Sequence, residues 1–519
     1  MPEHIRALIA LLALSVPALM WLRKPLTANA VAPRDYKLRA GVWVALTLAL
    51  FVAHNFWLFI GIAAVTLLVA QAKDSSPLGL YVFLLFLAPP FQSNIQGFAG
   101  IKYFLAIDYL RLLSLVVLLP MALRLLRAHD RARLFALPSD KFLVGYLMLF
   151  VVLAAPTTSM TDSFRSIISL FIDVFLPYYV FSRTLTDVAK FRDVLASFAG
   201  IGVVMSVVAI FETLKHWLLY SMLPHVLDVT WNFGSYMMRE GSLRATVSTG
   251  HSIVLGYVLT VALGLHLALG AQLFSRRHWW LMTAALGSGI ICSMSRGPWI
   301  GAAATVVVAL ATAPRGARKL GMLAGAAAIA LPLLAFTPYG TKFAALLPFV
   351  GDADAESVDY RQQLFHVSWD VLMLNPWFGS PNYLANGSME QLRQGEGIID
   401  MVNSYLGVAM FSGFVGLALF AGVFVASGLG LVNHLRRPTE SESEGRAICR
   451  ALLATLIGVL VTIATVSSIN VVPVVYWCLA GACAAYIQGI RRERSNSDVS
   501  FVDKKADPFV ETRWGRRAW

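Results

Sequence analysis

The sequence predicts an all-α polytopic membrane protein, a bundle of about 12–15 transmembrane helices with a large, partly helical loop on its outward face. Three observations carry that prediction. Apolar runs of about 17–25 residues recur along the chain, and each is long enough to cross the hydrocarbon core of a bilayer. The 519 residues are 58% hydrophobic and 14% charged, where a soluble domain has about a quarter of its residues charged. The lysines and arginines gather in short stretches between the apolar runs, which is the pattern that sets membrane orientation.

In chain order the runs fall near 5–22, 40–54, 56–72, 77–90, 104–126, 141–157, 164–182, 192–213, 251–272, 279–294, 297–313, 319–337, 402–432, 447–467 and 470–489. The first has no small-residue cleavage site behind it and reads as a membrane helix, not a removed signal peptide. The 40–72 block fits one long tilted helix or two short ones. Basic stretches at 23–39, 124–141, 275–278, 314–319 and 433–438, together with the tail, belong on the cytoplasmic side, so the alternate loops face outward. The net charge of +13 is explained by these loops and gives no ground for a nucleic-acid partner. Cys292, Cys449, Cys478 and Cys483 lie in or beside apolar runs without metal-ligand spacing, and read as small packing residues.

The organisation that follows has N-terminal transmembrane helices over 1–160 and a transmembrane core over 161–337 with an outward loop at 214–250. A large periplasmic loop covers 338–401, C-terminal helices cover 402–490, and a basic cytoplasmic tail, expected to be disordered, covers 491–519. Loops as long as 214–250 and 338–401 are functional or disordered in a compact protein. No inverted repeat of the transporter kind is visible.

Three arginines stand on the outward side at helix edges: Arg244 in "GSLRATVSTGHSIVLGY", Arg296 in "MSRGPWIG" and Arg361 in "VDYRQQLFHVSWDVLMLNPWFG". An ionisable group there is a functional hypothesis by default, because a charge near the bilayer centre costs a few kcal/mol. Guanidinium forks bind phosphate bidentately and stay charged, so clustered arginine suits a diphosphate. The plainer alternative is that each snorkels to headgroups or pairs with a loop carboxylate. His251 and His366 read as hydrogen-bonded packing residues before they read as bases. The acidic run with Asp352, Asp354, Glu356 and Asp359 reads as a solvated loop. That run could attract a divalent cation, but the solvated loop is the plainer account; no HExxH, no CxxC pair and no phosphate-binding glycine loop is present, so neither a metal, a cofactor nor ATP is expected. The outward aromatics Trp231, Tyr236, Trp299, Tyr360, Trp377 and Tyr383 fit an interfacial belt, with Trp377 and Tyr383 kept for sugar contact.

Taken in order, "LRATVSTGHSIVLGYV", "MSRGPWIGAAA", "DYRQQLFHVSWDVLMLNPWFGSPNY" and "DMVNSYLGVAMFSGFVGLALF" resemble the O-antigen ligase and Wzy-type polysaccharide polymerase superfamily over roughly residues 160–435. The resemblance implies a membrane glycosyltransferase of the GT-C type in the bacterial inner membrane, active on its periplasmic face. The implied partner is an undecaprenyl-diphosphate-linked oligosaccharide in exopolysaccharide or O-antigen (lipopolysaccharide) biosynthesis. It also implies that Arg296 and Arg361 bind the donor diphosphate, where guanidinium groups stabilise the leaving charge without a metal; Arg244, the third outward arginine, is kept as a candidate beside them. One position departs from the family. A histidine precedes the asparagine at the start of the helix after the large loop in these ligases, and here Val402 precedes Asn403. Valine takes no proton, so a polymerase-like reaction or a substitute base is expected, with Asp400 and Glu396 as catalytic candidates and Asn403 as an acceptor contact. Competing classes are a flippase or transporter for a lipid-linked glycan and a non-catalytic subunit working with other polysaccharide assembly proteins.

Overall fold

The structure, a computed structural model, describes residues 1–97, 103–127, 135–154, 159–230, 237–239, 241–335, 355–393, 397, 399–437 and 444–506, with backbone alone at 268, 271, 331, 334–335, 355–358 and 490–506. Among the described residues eight helices are long and apolar enough to span a membrane, and Ser252–Leu267 and Arg296–Ala311 are shorter apolar helices. The chain is a multi-pass, all-α membrane protein.

The helices are α1 (Glu3–Asn29), α2 (Pro33–Val52), α3 (Phe56–Lys73) and the short α4 (Pro77–Leu84), followed by a hairpin of β1 (Gln92–Gln96) and β2 (Tyr103–Asp108). The 40–72 block is two helices. His54 turns the chain at φ 52°, and the Asn55 side chain starts α3 by accepting from the Trp57 and Leu58 N–H groups at 2.8 and 3.2 Å. The run at 77–90 is helical only to Leu84, although residues 78–91 are buried throughout. Pro89 and Pro90 disfavour helix ahead of them, and the irregular backbone survives because protein, not lipid, surrounds it.

Residues 104–108, read from sequence as the start of a membrane span, belong instead to β2; Asp108 then caps α5 (Tyr109–Arg127) by accepting from the Arg111 N–H at 2.7 Å. Next come α6 (Pro138–Ala154), α7 (Met160–Thr184) and α8 (Val188–Lys215), with π-helical turns at Ser114–Leu118 inside α5 and Phe171–Phe175 inside α7. A loop with a two-residue ladder, β3 (Met238–Arg239) to β4 (Ser242–Leu243), leads to α9 (Ser252–Leu273), α10 (Arg276–Cys292), α11 (Arg296–Ala311) and α12 (Gly316–Ala335). Helix α13 (Ala355–Met373) lies in the large loop, and α14 (Ser404–Leu435), α15 (Glu444–Ile463) and α16 (Val471–Ala506) close the bundle. Helix α16 runs on through part of the predicted disordered tail, where arginine, glutamate and lysine sustain helix; residues 507–519 lie outside the described residues.

Small residues set the crossing that positions the site. A Cβ on Gly301 of α11 would stand 2.9 Å from the Gly458 carbonyl oxygen of α15, and Gly297 packs against the Thr465 side chain just past the end of α15. Backbone approach of this kind replaces the hydrophobic drive that lipid removes. At the end of the bundle that carries the basic loops, Arg39 is fully buried and donates to Asp74 at 2.8 and 2.9 Å and to Asp193 at 2.6 and 2.9 Å. Arg183 and Asp140 form a second sealed pair there. All four cysteines are free and none is exposed.

Candidate functional site

The three outward arginines come from three separate stretches and meet at the other end of the bundle. Arg296 occupies the first turn of α11, directly after the Ser295 cap. Arg244 reaches the same corner and donates to the Ser295 hydroxyl at 2.9 Å, while its Nε is buried without a hydrogen-bond partner among the described residues. Arg361 stands half-buried on α13. Burial pushes the Arg244 guanidinium down to about 10, with the positive charges of Arg239 and Arg361 adding to the effect. Arg361 is lowered by burial and then by Arg296, while Asp400 pulls the other way. Arg361 is thus in electrostatic reach of Arg244, Arg296 and Asp400, and Arg244 in reach of Arg239.

The loop bearing Arg244 is held by a residue that the sequence reading passed over. Glu212, at the end of α8 and wholly buried, accepts from the backbone N–H groups of Leu219 at 3.0 Å, Thr246 at 3.0 Å and Val247 at 2.9 Å. Val247 sits at φ 48°, a strained setting for a β-branched residue that persists only where its surroundings dictate it. The Ala245 N–H also donates to the Cys292 carbonyl at 3.1 Å, tying the loop to the end of α10. A lone carboxylate at the end of an apolar run was the available signal for Glu212. Arg239, whose side chain donates to the Met294 carbonyl at 2.7 Å, was hidden among ordinary loop residues.

Asp400 is fixed from two sides. Its carboxylate accepts from the Ser467 hydroxyl at 2.6 Å, and its backbone N–H and carbonyl both bond the Tyr360 hydroxyl, at 3.1 and 3.0 Å. Tyr360 immediately precedes Arg361, so one element holds both the base candidate and the phosphate ligand candidate. A cavity of about 850 Å³ opens beside them, lined by Asp400, Asn403, Tyr383, His251, Ser467 and Tyr476 among others. Asn403 caps α14 with its side-chain oxygen, accepting from the Tyr405 and Leu406 N–H groups at 3.0 and 3.2 Å. His251 caps α9 in the same manner and His366 is exposed.

The two aromatics kept for sugar contact are separated. Tyr383 lines the cavity, whereas Trp377 is 65% exposed and does not. Trp377 belongs to a loop that plugs a break in α14. Gly413 takes φ 65° and ψ −169° inside that helix, and the chain there bonds across to the loop: Phe414 N–H to the Pro376 carbonyl at 2.8 Å, and Ser380 N–H to the Met410 carbonyl at 2.9 Å. Irregular backbone beside lipid is admissible because protein groups satisfy it. Glu396, Trp231, Tyr236, Asp352 and Asp354 lie outside the described residues, as does the side chain of Glu356.

Residues 281–421 match the O-antigen ligase family model. The match runs from α10 into α14, so this O-antigen ligase-like domain contains Arg296, Arg361, Asp400 and Asn403, while Glu212, Arg239 and Arg244 lie in the elements that precede it. No curated protein matches the chain. The chain is thus a multi-pass membrane protein with an O-antigen ligase-like domain, a type associated with glycosyl transfer.

Proposed function

We propose that this protein is an inner-membrane glycosyltransferase that polymerises or transfers undecaprenyl-diphosphate-linked glycan units at the periplasmic face, in exopolysaccharide or O-antigen biosynthesis. The observation that carries the proposal is the convergence of Arg244, Arg296 and Arg361 from separate elements, with Arg361 in electrostatic reach of Asp400 on the wall of the larger cavity. Like charges gathered at partial burial repel one another, and an anion at their centre removes that cost. Sidedness follows from the basic loops at the opposite end.

The chemistry is a single displacement. An acceptor hydroxyl attacks the anomeric carbon of the donor sugar while the bond from that carbon to the diphosphate oxygen breaks. The hydroxyl proton passes to Asp400, and the lipid diphosphate departs with its bonding electron pair and its charge against the arginines. Asp400 stands two residues before the position that is histidine in the ligases.

The test is reconstitution of the purified chain in lipid with a synthetic undecaprenyl-diphosphate oligosaccharide and products resolved by size. A ladder of longer lipid-linked glycans means polymerase, and product only after a distinct acceptor is added means ligase. Asp400→Asn is expected to cut turnover by about 10²–10⁴ while donor binding persists. No product with any acceptor, or full turnover in Asp400→Asn together with Arg361→Ala, would sink the proposal.

A further inference from the structure

A second, smaller cavity of about 290 Å³ adjoins the first, and Ser468 and Asn470 line both. Its far wall is built from the hairpin and the two helices that carry π-helical turns, none of which lies in the matched domain. Asp173 sits at the centre of the Phe171–Phe175 π turn of α7. Arg111 of α5 grips it, Nε at 3.3 and 3.2 Å and a terminal nitrogen at 2.9 Å, while its other terminal nitrogen donates to the Ala106 carbonyl at 2.7 Å. Asp108 lines the same cavity.

Four features separate this cluster from the sealed pairs of the basic end. The Arg39 and Asp74 side chains are both 0% exposed, whereas Arg111 and Asp173 keep 19% and 29% of their surface open. A π turn inside a membrane helix re-aims side chains and is most often found at functional sites. A carboxylate within a span and open to a cavity is a functional hypothesis by default. Asn470, on the wall between the cavities, is held at φ 51°.

We infer that this cavity is a second saccharide subsite, which holds a neutral or amino sugar of the acceptor through Asp173, Asp108 and the Asn470 carboxamide. The inference rests on the glycosyltransferase reading for the word acceptor, and on this cavity alone for saccharide binding. Carboxylate and carboxamide groups accept from sugar hydroxyls and bind an ammonium group. Two carboxylates against one guanidinium among the described lining residues oppose an anionic sugar such as a uronate. Ser468 and Asn470 connect the subsite with the cavity that holds Asp400, so a glycan seated in the smaller cavity extends toward the reacting end.

The experiment uses the full chain in lipid nanodiscs with three free disaccharides: cellobiose, the glucosamine dimer and the galacturonic acid dimer. Saturation-transfer NMR measures binding to the wild type, to Asp173→Asn and to Asn470→Gly. Glycine keeps the positive φ at position 470 without strain, so the second variant folds even if the first does not. The neutral and amino dimers are expected to bind and the acidic dimer to fail, with affinity falling about tenfold in either variant. Equal binding of all three, no binding of the neutral and amino dimers, or unchanged affinity in both variants overturns the subsite. Turnover of the lipid-linked donor on the same preparations separates the two ideas: sugar binding without turnover defeats the transferase reading alone, and turnover with unaltered sugar binding in the variants defeats the subsite alone.

Discussion

Arg39 is buried and Arg244 half-buried in the same membrane bundle, in opposite company. At the basic end, Arg39 gives its donors to Asp74 and Asp193, and the cluster is shut away from solvent. At the other end, burial lowers Arg244 and Arg361, neighbouring arginines add to that lowering, and Asp400 pulls Arg361 the other way. A buried guanidinium costs several kcal/mol unless carboxylates and hydrogen bonds answer it. The first arrangement answers that cost inside the protein and holds helices together. In the second, Arg244 has the Ser295 hydroxyl and Arg361 has Asp400 within electrostatic reach, and the transferase reading proposed above assigns the rest of the answer to an anionic ligand.

Substitution at each end breaks the comparison in opposite ways. Arg361→Ala is expected to lower turnover by about 10²–10³, as loss of one charge-stabilising donor does. Its thermal midpoint in detergent should stay level or rise, because a repelled charge is removed. A clear fall in midpoint would mean that Arg361 is structural after all. Arg39→Ala should do the reverse, destabilising the fold by about 3–5 kcal/mol by stranding two buried carboxylates. Replacing Arg39, Asp74 and Asp193 together by apolar residues of similar volume should recover most of that loss; failure to recover would show that the cluster does more than pair charge.

A smaller effect probes the region that connects the loop to the bundle. Gly413→Ala places a Cβ against the Trp377 peptide at a φ of 65°, and the expected cost is about 1–3 kcal/mol with the loop loosened. Limited proteolysis between residues 374 and 380 would detect it, and an unchanged cleavage rate would contradict the plug. The smallest effect concerns pH. Burial, with a contribution from Asp173 and against the pull of Arg111, pushes the Asp108 carboxyl up from 3.8 to about 6. The native state then keeps a proton that the unfolded chain has released, so this group contributes stability below 3.8 that is lost as pH rises through about 6. Asp108→Asn should flatten that part of the stability profile, and identical slopes in variant and wild type would refute the assignment.

Much of the architecture was legible because a span announces itself locally: about 20 apolar residues in a row need no partner to be recognised. The 40–72 block became two helices through Asn55, whose side-chain cap is a tertiary fact only in its geometry. The hairpin at 92–108 escaped notice because its second strand runs without a break into an apolar helix. Among site residues, Arg296 and Arg361 stood out as charges at helix edges. Glu212 and Asp173 did not, since single acids in long apolar runs gain meaning only from what faces them.

The sequence by itself determined that the chain crosses a membrane many times, which end carries the basic loops, and which three arginines break the charge pattern, because these depend on composition and on neighbours along the chain. Only the tertiary structure decided that those arginines share one corner with Asp400, that Asn403 is occupied as a helix cap, and that Trp377 faces away while Tyr383 faces in. Each of these depends on helix crossings set by close contact of residues such as Gly301 and Gly458, far apart in sequence, and no local pattern encodes such a meeting.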